Sequence, residues 1–337
     1  MTPTNKATAH APAEPKLPLQ FLPLPSMRLQ KILALLLLIA QGGITVTGSI
    51  VRVTGSGLGC DTWPQCHPGS FVPVEGAAPV LHQAIEFGNR LLTFVLIAVT
   101  IATFLAVLRA GRRSAILWLV VINGLGIILQ AVIGGISVHV DLKWYVVALH
   151  FLPSMLLVWL AGMLYVKVQD PDDGPPTDTY PPMLRGLAAG AGIAMAGTLV
   201  TGTMVTGAGP HAGDAAVMPE DRLQLPIIEL SHIHAGFMYL YLGLTIGLLF
   251  GLLAARAGAP VVTRTWWLIA AIVVQAGIGM TQYWTGVPEV LVPFHVGGSS
   301  VVVALTAIIF QLGRRRLGGT ARATGSPKGD SERAATV

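Results

Sequence analysis

The chain is poor in charge. Asp, Glu, Lys and Arg make up 11% of 337 residues and hydrophobic residues 53%, whereas a soluble domain carries about a quarter charged residues. That shortage excludes an ordinary water-soluble globule and points to a polytopic membrane protein. Cysteine is scarce as well, with only Cys60 and Cys66. Two thiols beside one His67 do not make a four-ligand zinc site, and "CDTWPQCH" lacks the C-x-x-C-H spacing of a c-type heme attachment. Placed in an oxidising compartment, the pair is most simply a disulfide. The first 27 residues lack an apolar run of the kind a signal peptide needs, so no cleavable leader is expected. Acidic residues within apolar runs are almost limited to Glu86 and Glu229, which counts against an ion or proton transporter.

What is present is length in apolar runs. Eight segments, near 31–53, 82–108, 115–137, 144–167, 184–206, 226–254, 265–285 and 290–312, meet the roughly 20 residues a bilayer span requires. The expected fold is an all-α integral membrane protein of eight helices. Lys and Arg set the orientation: Arg28 and Lys31 before the first span, Arg109, Arg112 and Arg113 after the second, Arg256 and Arg264 at the sixth-to-seventh turn, and Arg314, Arg315 and Arg316 after the eighth. All lie on one side, so the sequence predicts cytoplasmic termini in a cell membrane, with Cys60 and Cys66 outside. The net charge of +5 then reflects topology and gives no reason to invoke nucleic acid.

An internal repeat organises the spans. "QAVIGGISVHVDLKWYVVALH" and "QAGIGMTQYWTGVPEVLVPFH" each open Q-A-x-I-G and close on His, at His150 and His295, and they stand 145 positions apart. "VTGSIVRVTGSG" from Val46 resembles "VTGTMVTGAG" from Val200, with two residues missing from the second. The reading is two tandem four-helix bundles related by duplication: a tail at 1–30, a first half at 31–167, an acidic Pro-rich linker at 168–183, a second half at 184–313 and a tail at 314–337. Both tails are expected to be disordered. The same offset pairs Asn89 with His234 and Glu86 with Ser231. Each half thus places one polar residue about two turns into its second helix and a His within its fourth.

Histidines on facing helices at equal depth are the arrangement for axial ligation of a heme iron. His234 and His295 meet it; the alternative for each is an interior imidazole hydrogen-bonded to a carbonyl. His232 lies about 200° around the helix from His234, so both cannot face one iron, and the repeat favours His234. Arg52 and Arg90 lie at depths suited to heme propionates, or else snorkel to water. His211, in "GPHAGD", either touches the second site's edge or caps its loop. His10, His67 and His139 carry no usable signal.

In "GSIVRVTGSGLGCDTWPQC", "IEFGNRL", "TGAGPHAGD" and the His of the fourth, sixth and eighth helices, the chain resembles the heme A synthase family, and the resemblance covers nearly all of residues 30–313. The resemblance implies eight spans in two halves and oxidation of a methyl group of heme O, through hydroxylation, to the formyl group of heme A for cytochrome oxidase. It implies a heme b held in the second half by His234 and His295, substrate heme O in the first half with His150 as ligand, and an essential carboxylate at Glu86. Heme O synthase and oxidase assembly factors would be its partners, and a homo-oligomer is compatible with it. Where the family motif Glu-x-x-His expects a second first-half ligand, this sequence has Asn89, a poor iron ligand. The first half is then either mono-His or uses His82, seven residues earlier and about 10 Å further along the axis. A non-enzymatic diheme electron-transfer protein is the competing reading, and Asn89 counts against it.

Overall fold

The computed structural model describes Leu19 and residues 21–316; most of the two expected tails lies outside the described residues. Eight helices are long and apolar enough to cross a membrane. They are α1 (Met27–Val53), α2 (Val80–Arg109), α3 (Ser114–His139), α4 (Trp144–Lys167), α5 (Pro182–Ala208), α6 (Ile227–Ala254), α7 (Ala259–Thr285) and α8 (Leu291–Leu312). Two begin well before their apolar windows. The Ser26 side chain accepts from Leu29 N at 3.1 Å, so α1 takes in Arg28, Gln30 and Lys31 as a polar first turn. Pro260 sits at the start of α7, where its fixed φ suits a helix.

Packing is sequential within each set of four. Each of α1–α4 contacts its neighbours in order and α4 returns to α1; α5–α8 close in the same way. The two sets meet where α8 lies against α1 and α4, and α5 against α4. At that seam the Thr45 and Ser300 hydroxyls pair at 2.9 Å.

Burial is uneven along the bundle. One apolar cluster joins Ala34, Leu37, Val107, Ile116 and Leu164, another joins Val166, Leu248, Leu268 and Ile309; both sit toward the end bearing the 168–183 linker. Toward the opposite end, where Cys60 and Cys66 lie, no residue of 87–95, 128–134 or 147–154 is buried, nor any of 231–240, 273–281 or 291–299. Side chains therefore close the interior at one end and leave it open at the other, since close packing would have buried the inward-facing positions.

The linker is built rather than loose. Residues Pro176–Asp178 form strand β1, paired antiparallel with β2 (Arg314–Arg316) directly after α8. This differs from the expectation that 314–316 belong to a disordered tail. The cause is charge: Asp170 is 1% exposed and accepts from the guanidinium groups of Arg113 and Arg315. Arg112 donates to Asp172 at 2.7 Å, to the Asp170 carbonyl at 2.7 Å and to Gln30 at 2.8 Å. Tyr180 adds a bond to the Ile309 carbonyl at 3.1 Å. Removing one partner from a buried ionic cluster leaves its charges uncompensated, at about 3 kcal/mol. Asp170→Ala should lower the thermal unfolding midpoint of the detergent-solubilised protein, and an unchanged midpoint would show that the clasp adds no stability.

Candidate functional site

The open zones carry the histidines. In α6 and α8, the rings of His234 and His295 lie edge to face with centroids 6.5 Å apart and planes inclined at 62°. Two imidazoles sharing one metal ion axially, with metal–nitrogen bonds of about 2 Å, have ring centres about 6 Å apart. The separation fits a single iron between them. His234 Nδ1 lies 2.9 Å from the Thr198 carbonyl, which can only accept, so Nδ1 carries the proton and Nε2 keeps its lone pair. That second hydrogen bond is the usual orienting device for a metal-binding imidazole. Among the described residues no three His, Cys, Asp or Glu converge to hold a metal ion. A two-imidazole site is completed by a ligand bringing its own in-plane donors, as a porphyrin does.

Small residues make room for each ring. A Cβ at Gly202 in α5 would come within 3.1 Å of His234, and one at Gly279 in α7 within 3.4 Å of His295. Gly134 in α3 stands in the same relation to His150 in α4, at 3.3 Å. His150 and His295 share a further trait: each Nδ1 is buried without a hydrogen-bond partner.

In the first four helices His150 has no imidazole opposite it. Asn89 accepts from the Thr47 hydroxyl at 2.7 Å, just as His234 lies 3.3 Å from the Thr201 hydroxyl. His82 is half-buried near the start of α2, where its carbonyl presses on Gly59, at which a Cβ would sit 2.5 Å away. Gln130 was not singled out from sequence as a site residue, although it opens the repeated Q-A-x-I-G motif. Both its side-chain polar atoms are buried and unpaired, and it lies one turn from Gly134, on the face that meets His150. Its counterpart Gln275 instead donates to the His295 carbonyl at 2.7 Å.

Glu86 and Arg90 hold the disulfide loop. Cys60 and Cys66 are bonded, and the loop closes over the end of the first four helices. Glu86, 5% exposed, accepts from the Cys60 amide at 2.6 Å and from Arg90 Nη2 at 2.5 Å and Nε at 3.1 Å. Arg90 also donates to the carbonyls of Thr62, Gln65 and Cys60. All five guanidinium N–H groups are thereby committed. Arg52, by contrast, makes one bond, to the Thr206 carbonyl at 3.1 Å. His67, also passed over in the sequence, is 5% exposed and bridges Asp61 and Gln83 at 2.8 and 3.0 Å. His211 donates to the Val287 carbonyl at 2.7 Å, joining two loops, and His232 is exposed with its ring 6.1 Å from that of Tyr283.

Fold and site together define a multi-pass helical membrane protein with paired interior imidazoles and a disulfide-braced loop at one end. The family model described as COX15-CtaA, cytochrome oxidase assembly protein, matches residues 31–307, and the chain belongs to that family. It is similar to proteins named heme A synthase: that of Lysinibacillus sphaericus (strain C3-41) is 35% identical over 130 residues, 37% of this chain and 41% of the relative. That of Bacillus pumilus (strain SAFR-032) is 28% identical over 126 residues, 37% of this chain and 39% of the relative. The alignment with the Bacillus licheniformis protein is 28% identical over 155 residues, 44% and 49% of the two chains. The matched stretches thus span less than half the length of these curated relatives.

Proposed function

We propose that this protein is a heme A synthase: it takes heme O, converts one methyl group through two hydroxylations to an aldehyde hydrate that loses water to give the formyl group, the four electrons passing to an external oxidant, and releases heme A for a terminal oxidase. The observation that carries the reading is the His234–His295 pair, whose 6.5 Å separation suits one iron, in a chain whose relatives bear that name. The two sets of four helices are read as copies of one unit, 31–167 and 184–313, divided in labour by Asn89. The second half holds a heme b through His234 and His295. When bound there, that heme supplies one-electron chemistry. The first half takes heme O, with His150 as its single protein ligand, and Gln130 offers it a donor and an acceptor.

Glu86 is the carboxylate of the substrate half. Its Oε2 accepts only from the Cys60 amide and can accept again, so it can take a proton at the reacting carbon. The disulfide loop keeps water from that end. The arginine-rich clasp at the opposite end supports a cell-membrane orientation with Cys60 and Cys66 outside.

Co-expression with a heme O synthase tests the reading. Extracted hemes should include heme A, in amounts that rise with the protein; heme O persisting without heme A would overturn the assignment.

A further inference from the structure

Two half-buried arginines near the disulfide end each carry a buried side-chain nitrogen without a hydrogen-bond partner. Arg52, one residue from the end of α1, has a buried and unpaired Nε, and Arg222, in the loop between α5 and α6, has a buried and unpaired Nη2. Both are brought to the end of α5: Arg52 Nη2 donates to the Thr206 carbonyl at 3.1 Å, and the amide of Leu223, next to Arg222, donates to the Gly207 carbonyl at 3.2 Å. Neither has a carboxylate within ion-pair distance among the described residues; the nearby Asp221 is taken by Lys143 at 3.6 Å. Like charges held together with unsatisfied donors are unfavourable in themselves, and an anion between them reverses the sign.

Arg52 also crosses from one half to the other. Its guanidinium donates to the Thr206 carbonyl at the end of α5. In the paired "VTG" segments, Arg52 and Val53 are the two residues the second copy lacks, so α1 supplies a cation to a helix end that has none. Arg222 lies just ahead of α6, which begins at Ile227. His234 is seven residues into that helix, about 10 Å along its axis, a distance that a carboxylate on the rim of a macrocycle can bridge.

We infer that Arg52 and Arg222 together form the carboxylate-binding site of the second-half ligand and clamp its propionate groups across the seam between the halves. The inference rests on the heme reading above. It assigns the first half a part in holding the second half's heme.

The test uses the purified full-length protein, reloaded with hemin or with hemin dimethyl ester, whose carboxylates are masked. Loss to an apoglobin scavenger is followed for wild type, Arg52→Gln, Arg222→Gln and the double variant, with Arg52→Lys keeping the charge. Charge-assisted hydrogen bonds predict about tenfold faster hemin loss or more in the double variant, and a lower midpoint potential as positive charge is removed. The ester should leave wild type and double variant at similar rates, and Arg52→Lys should recover part of the difference. Equal acceleration for hemin and ester, or none for hemin, overturns the clamp. His295→Ala separates the two levels: if it leaves hemin binding unchanged, the heme reading itself falls; if it abolishes binding while the arginine variants do not discriminate, only the clamp falls.

Discussion

His295→Ala or His234→Ala is expected to abolish the low-spin b-type absorbance of the purified protein, the largest effect any single substitution here should have. Both rings are needed because the 6.5 Å pair can bring only two imidazoles to one iron, and no third His, Cys, Asp or Glu joins them among the described residues. His234 has the more constrained ring, with Nδ1 fixed on the Thr198 carbonyl. Thr198 offers a backbone atom, so replacing its side chain should leave the absorbance intact, whereas Gly202→Val should displace the ring, a Cβ alone already coming to 3.1 Å. Optical spectra of the reduced protein check all of these. A low-spin signal surviving His295→Ala would show that the iron is held elsewhere.

Glu86 carries the second large effect, and the structure divides it in two. Glu86→Ala removes the acceptor for the Cys60 amide and leaves Arg90 without its carboxylate, so the loop should loosen, with faster proteolysis between residues 54 and 79. Glu86→Gln keeps an oxygen acceptor for the loop but cannot take a proton. Heme A production should fall at least about a hundredfold in both, the usual scale for a missing acid–base group, while the second-half absorbance stays. If Glu86→Gln retains production, the carboxylate serves only to fasten the loop.

The helices were legible because a span of apolar residues has few other solutions, and the His234–His295 pair because a 145-residue offset sets His295 in register with His150 and His234 with Asn89. Asn89 was legible as a departure for the same reason. What escaped notice depends on long-range polar contacts that leave no period. Asp170 sits in a stretch of linker composition, and only the folded chain brings Arg113 and Arg315 to it from 57 and 145 positions away. Arg90 looked like a partner for a ligand carboxylate at the right depth, yet its five donors are used within the loop. Arg222 belongs to a loop where nothing in the pattern marks it, and its interest arises only beside Arg52.

The β1–β2 pair has a consequence for biogenesis. Its first strand emerges from the ribosome after four helices, but its second only after the eighth has been made. Until then Asp170 and Asp172 have Arg112 and Arg113, but Asp170 lacks Arg315 and β1 lacks its partner strand. A nascent chain arrested before residue 314 would carry all eight spans yet leave an acidic latch unfastened, so closure of the clasp reports that translation has passed through the entire bundle.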